Sequence, residues 1–169
     1  MAHSVELVFD LDTETAIRHL WDGLAEAGIP SQAPVSRPHV TLTVAERMDP
    51  AVDVPLASLV ERFPLPCVVG APLLFGRSTV ILTRLVVPTA ELLAVHAEVS
   101  RLCLPHLEPA PMANSLPGHW TGHVTLARRI GPAQLARALR IAGRPPVISG
   151  SFIGLRRWDG DAKTEHPIS

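Results

Sequence analysis

The chain has 169 residues, of which 47% are hydrophobic and 18% charged, with a formal net charge of −1. A chain this apolar can bury a sizeable core, which excludes global disorder. The near-zero net charge excludes a protein that coats nucleic acid by bulk charge, while a local basic patch stays open.

Taken in order, residues 5–10 alternate as a strand, and residues 13–27 carry Ala16, Ile17, Leu20, Trp21 and Leu24 at helical spacing. Asp12 is the expected N-cap and Gly28 the expected stop. Residues 39–45 read as a strand after Pro38, residues 56–63 as a helix and residues 67–75 as a strand. Residues 79–87 form a further strand. Residues 91–104 form a helix with Leu92, Val95, Val99 and Leu102 on one face. Residues 123–128 read as a strand, 134–142 as a helix and 147–158 as a last strand. Between them, residues 105–120 hold Pro105, Pro109, Pro111, Pro117 and Gly118. A loop this long is more often functional or mobile than filler.

The order strand–helix–strand–helix–strand occurs twice, and the letters repeat as well. His39-Val40-Thr41-Leu42 returns 84 positions later as His123-Val124-Thr125-Leu126. Pro66-Cys67-Val68-Val69-Gly70 resembles Pro146-Val147-Ile148-Ser149-Gly150, 80 positions later. The expected fold is therefore a single α+β domain over residues 1–169. It is bilobal and duplicated, with lobes built approximately from repeats 4–76 and 78–159. Two antiparallel-type sheets would flank a central cleft, with helices outside and pseudo-two-fold symmetry.

No run of about 18 apolar residues exists, so no membrane span is expected. The start MAHSVELVFDLD has no basic region ahead of an apolar one and does not read as a secretory signal. Cys67 and Cys103 are too few for a disulfide framework. A cytoplasmic monomer with reduced thiols is the simplest expectation.

In a strand, side chains i and i+2 share a face. His39 and Thr41 then face one way while Val40 and Leu42 face the core, and His123 and Thr125 do the same. If the repeat is symmetric, two imidazoles and two hydroxyls converge on one cleft. A neutral histidine can take a proton and a protonated one can give it, near neutral pH. Threonine hydroxyls can hold non-bridging phosphate oxygens. The set suits phosphodiester chemistry.

The segments RPHVTLTV (37–44) and WTGHVTLARR (120–129) resemble the paired signature motifs of the two-histidine (2H) phosphoesterase superfamily. The nearer resemblance is to its 2′-5′ RNA ligase branch, the RNA 2′,3′-cyclic phosphodiesterases. That resemblance implies hydrolysis of 2′,3′-cyclic phosphate ends, on RNA or on a small nucleotide, to a 2′-phosphate, without metal or other cofactor. It implies His39 as proton donor to the departing 3′ oxygen and His123 as the base that activates water. Thr41 and Thr125 would orient the phosphate. Arg128 stands where relatives often carry arginine after the second motif, whereas Thr43-Val44 follows the first. Gly122 stands where many relatives carry proline.

Blander readings accompany these. Arg37, Arg128 and Arg129 are most simply solvated charges. Trp120 and Trp158 could stack on a base, but such residues more often pack. His119 and His123 would pair as metal ligands on a helix, which Pro117, Gly118 and Gly122 oppose. Alternative functions are reversible 2′-5′ RNA ligation, a non-catalytic RNA-binding module, and a metal-dependent hydrolase using His119 with His123.

Overall fold

The computed structural model describes residues 2–31 and 37–169. Its strands are β1 (His3–Phe9), β2 (His39–Ala45), β3 (Arg47–Met48), β4 (Leu65–Gly76), β5 (Val80–Val86), β6 (Leu107–Glu108), β7 (His123–Ile130), β8 (Ile148–Asp159) and β9 (Thr164–Pro167). Its helices are α1 (Leu11–Glu26), α2 (Asp53–Leu56), α3 (Ala90–Cys103) and α4 (Pro132–Ala138). No helix among the described residues is long and apolar enough to cross a membrane.

Six strands form one antiparallel path, β2-β1-β8-β4-β5-β7, with β9 on β8. The path is symmetric about the β8–β4 junction. β2, β1 and β8 on one side correspond to β7, β5 and β4 on the other. Each repeat therefore keeps its first two strands in its own half and sends its third strand to the other. β8, late in the chain, pairs with β1, and β4, from the first repeat, pairs with β5. The sheet curls until its two outer strands, β2 and β7, approach each other. The helices cross over too, with α1 packing on β7 and α3 on β2.

Gly150 marks the seam of this exchange. A Cβ there would stand 1.8 Å from Thr13 Oγ1. Beside it, Asp10 is the N-cap of α1, accepting from Thr13 N at 2.8 Å, while its other oxygen accepts from Ser151 N at 2.6 Å. The cap is thus Asp10 and not Asp12, because Asp10 alone is extended and able to reach both donors. A second tie closes the other end of β1, where buried His3 lies between Asp159 (3.7 Å) and Asp161 (3.1 Å).

The core lies on the helix side of the sheet. Val40 and Leu42 of β2 and Val124 and Leu126 of β7 are buried there with Ile17, Trp21, Leu24, Val95 and Val99. Burial of such a side chain is worth about 1.5–3 kcal/mol. The expected helix over 56–63 is instead a short α-turn followed by a 3₁₀ segment, Ala57–Arg62. Pro64 disfavours helical backbone at Phe63, which is extended and ends the segment. The helix expected over 134–142 begins at Pro132 and ends in a wider turn, Leu139–Gly143. β3, β6 and β9 are too short or too polar to show as periodicity.

Candidate active site

The two motif strands begin with the same burial pattern: half-buried His, buried Val, half-buried Thr, two buried residues. Strict alternation would send the residue three after each threonine to the core. It does not, because each strand carries an irregularity after its motif. In β2 the register slips between Thr41 and Thr43, and in β7 between Thr125 and Ala127. Each extra residue restores the following side chain to the cleft side. Arg128 therefore lines the depression beside His123, and Val44, its counterpart in the first repeat, lines it as well.

The two histidines are held alike. His39 Nδ1 lies 2.7 Å from the Arg37 carbonyl oxygen, and His123 Nδ1 lies 2.7 Å from that of Thr121. A carbonyl only accepts, so each Nδ1 keeps its proton and donates. Each ring thus leaves Nε2 as the atom that takes or gives a proton. The motif threonines are also matched. Trp120 Nε1 donates to Thr41 O at 2.9 Å, and Trp21 Nε1 donates to Thr125 O at 3.1 Å. On outer strands such carbonyls need a donor from elsewhere.

Their surroundings differ. His123 faces the ring of Phe75, centroids 4.8 Å apart. Burial pushes its pKa below the ordinary imidazole value. The bond to the Thr121 carbonyl opposes this, while charge on His39 and Arg128 adds to it. A neutral His123 is the form that can accept a proton. His39 instead borders a depression of about 660 Å³ lined by Glu6, Arg37, Arg156, Trp158, Lys163 and Glu165. Glu6 Oε1 stands 3.6 Å from His39 Nε2, and Arg156 Nη2 stands 3.4 Å from Nδ1.

Of the residues expected at a site, His123, Thr41 and Arg128 border one depression of about 550 Å³ and His39 borders another. Thr125 is half-buried at the matching place on β7 and borders neither. Arg37 is paired with Glu14 at 3.0 Å and lies 3.6 Å from Glu165. Trp120 is a packing residue, stacked on buried His96 with centroids 4.0 Å apart. His96 Nε2 in turn reaches the carbonyls of Leu42 (3.1 Å) and Ser115 (2.9 Å). His119 sits in a turn that lines the His123 depression, not on a helix with His123.

Sequence reasoning missed Glu6 and Arg156, which lie on other strands and carry no motif. It also missed a charge segregation that the net charge hides. From Pro109 to Arg157 there are seven arginines and no acidic residue. Arg156 and Arg157 are ion-paired. Arg128, Arg129, Arg137, Arg140 and Arg144 are exposed and form no ion pair among the described residues.

The family model of the 2′-5′ RNA ligase superfamily matches residues 9–162. The fold resembles that of TT0787 of Thermus thermophilus, with a TM-score of 0.61 and 15% identity, covering 100% of this chain and 96% of that one. It also resembles E. coli LigT, solved with 3′-AMP, at a TM-score of 0.57 and 15% identity, covering 99% and 94%. The MHV ns2 PDE domain aligns at a TM-score of 0.55 and 13% identity, covering 89% and 98%. At these identities the likeness is one of fold. No curated protein sequence matches the chain.

Proposed function

The chain belongs to the 2′-5′ RNA ligase superfamily of two-histidine phosphoesterases, and from that premise we propose that it hydrolyses 2′,3′-cyclic phosphate ends to 2′-phosphates. His123 Nε2 takes a proton from water. The water oxygen bonds to phosphorus, the bond from phosphorus to the 3′ oxygen breaks, and His39 Nε2–H protonates that oxygen. The products are a 2′-phosphate and a 3′-hydroxyl. Thr41 and Thr125 donate hydroxyl hydrogen bonds to the non-bridging oxygens, and Arg128 adds a charged donor.

The observation that carries this reading is the matched tethering of both rings through Nδ1, which leaves two Nε2 atoms for proton transfer. The depressed basicity of His123 favours the neutral form that a base requires. The reaction as drawn supplies acid, base and phosphate donors from side chains and calls for no metal.

The test is turnover of an RNA oligonucleotide ending in a 2′,3′-cyclic phosphate, in excess EDTA, with His39→Ala and His123→Ala alongside. Wild type should release a 2′-phosphate. Each variant should lose about 10²–10⁴ in kcat, the usual contribution of a general acid or base. Ligation would appear as a joined product when a 5′-hydroxyl RNA is added. Wild-type inertness toward cyclic ends would overturn the reading, as would full activity in either variant.

A further inference from the structure

Two identical His-Val-Thr-Leu motifs in matched geometry do not by themselves say which ring is the acid. The rows of side chains beside them do. In the first half, Thr41 pairs across the sheet with Glu6, and Glu6 with Arg156. In the second half, the same row reads Thr125, Thr83, Leu73. Where one half has a carboxylate and a guanidinium, the other has a hydroxyl and an aliphatic chain. Thr83 donates its hydroxyl proton to the Leu73 carbonyl at 2.8 Å. Glu6 is only 4% exposed, and its two oxygens are fixed by Ser4 Oγ (2.6 Å) and Arg156 Nε (2.6 Å). So placed, Oε1 stands at ion-pair distance, 3.6 Å, from His39 Nε2, the atom that must deliver the proton.

We infer that Glu6, held by Ser4 and Arg156, is the positioning residue that keeps the transferable proton on His39 Nε2 and thereby breaks the symmetry between the two motifs. The inference rests on the phosphodiesterase reading above. Each turnover leaves His39 neutral, having given its proton to the 3′ oxygen, and leaves His123 charged, having taken one from water. The next turnover needs the opposite state. One proton must leave His123 Nε2 for solvent, and one must arrive at His39 Nε2. A buried carboxylate beside His39 favours its return there, and the Phe75 ring and Arg128 charge beside His123 favour its departure.

The other groups facing His39 leave Glu6 as its anionic partner. Arg156, from β8, approaches Nδ1 and is shared with Glu165 of β9 at 2.6 Å. Arg37, whose carbonyl takes Nδ1–H, is itself paired with Glu14 of α1 and lies near Glu165. His123 of β7 is coupled to His39 through charge alone, and Lys163 lines the same depression as His39. The two arginines are thus tied to three carboxylates, and of these Glu6 reaches the catalytic nitrogen.

The test uses the full chain with ring-labelled histidines. The protonation of His39 and His123 is followed by NMR against pH, with kcat/KM on the cyclic-phosphate RNA measured over the same range. In Glu6→Gln, the His39 ring should lose its proton at lower pH than in wild type, and His123, which charge on His39 depresses, should not move down with it. The alkaline limb of kcat/KM should move down with it, giving at least tenfold loss at pH 8 and little loss at pH 6. Should Glu6→Gln misfold around an unpaired Arg156, the double variant Glu6→Thr with Arg156→Leu copies the row of the other half, and the same shift is expected. A loss uniform in pH with both rings titrating as in wild type would overturn the inference and leave Glu6 a structural residue. A moved His39 titration in a protein that turns over no cyclic phosphate would instead refute the functional reading and uphold the grip of Glu6 on the proton.

Discussion

The indole of Trp120 lies across the backbone of Gly122, so close that a Cβ on that glycine would stand 2.9 Å from Cη2 and 3.1 Å from Cζ2. The same indole donates to Thr41 O and stacks on His96. One ring thus joins the approach to the second motif with the backbone of the first. Glycine at position 122 has its physical reason here, since any side chain would start in the space of the indole.

Gly122→Ala should force the indole aside. Overpacking of this kind costs about 1–3 kcal/mol. The expected outcome is a lower unfolding midpoint together with a fall in kcat, because Thr41 loses the donor that fixes its carbonyl. Trp120→Phe, which shrinks the indole to a phenyl ring and removes the N–H, should cost about 1–3 kcal/mol. Denaturant titration beside a turnover assay reads both. Wild-type stability in Gly122→Ala would show that the indole moves freely.

His96 gives a pH dependence of stability. Burial holds its pKa below the ordinary 6.5, against the opposing pull of its bonds to the Ser115 and Leu42 carbonyls. The unfolded chain therefore binds a proton at this position that the folded chain does not. The stability is fully present above pH 6.5 and falls as pH drops from there through the folded value. Melting temperatures should decline below pH 6.5 in wild type. The decline should be shallower in His96→Gln, which has no ring to protonate. Parallel declines in the two proteins would assign the effect elsewhere.

His123 shifts in the same direction for its own reasons, burial first. The acidic limb of kcat/KM, which reports the free base, should lie below pH 6.5. Arg128→Gln removes one of the charges that depress His123, so the acidic limb should move up in that variant. Loss of a charged phosphate contact should also raise KM by about tenfold or more. Val44, its counterpart in the first repeat, offers no such contact, and Val44→Ala should leave the limb in place. A pH profile of the three proteins distinguishes them.

Gly150→Ala tests the strand exchange. Its Cβ would fall 1.8 Å from Thr13 Oγ1 and 2.9 Å from Asp10 Oδ2. The cap of α1 and the seating of β8 on β1 cannot both survive. Loss of an N-cap alone is worth about 1 kcal/mol, and the backbone must move besides. Destabilisation should exceed that of Asp10→Ala by a measurable margin in urea titration. Equal values would mean that the seam yields easily.

Much of this protein was legible as letters. The duplicated His-Val-Thr-Leu, 84 positions apart, marked both motif strands and the common face of each His/Thr pair. Period two is a local property of extended chain, so His39 with Thr41 and His123 with Thr125 could be placed on one face without knowing their neighbours. The Gly28 stop, at φ 74°, and the long helices α1 and α3 followed from local preference in the same way.

What lay beyond the letters is whatever depends on contacts between distant strands. The third strands of the repeats change sides because pairing partners are chosen by the whole sheet and not by the order of the chain. The irregularities that aim Arg128 and Val44 into the cleft are mismatches between two strands and leave no mark on either one alone. Glu6 and Arg156 stand 150 positions apart and meet His39 only because β8 and β2 flank β1. The letters alone yield two equal histidines, and folding makes them unequal. Identical tetrapeptides have identical local chemistry, and only the side chains brought beside them, Glu6 in one half and Thr83 in the other, can set them apart.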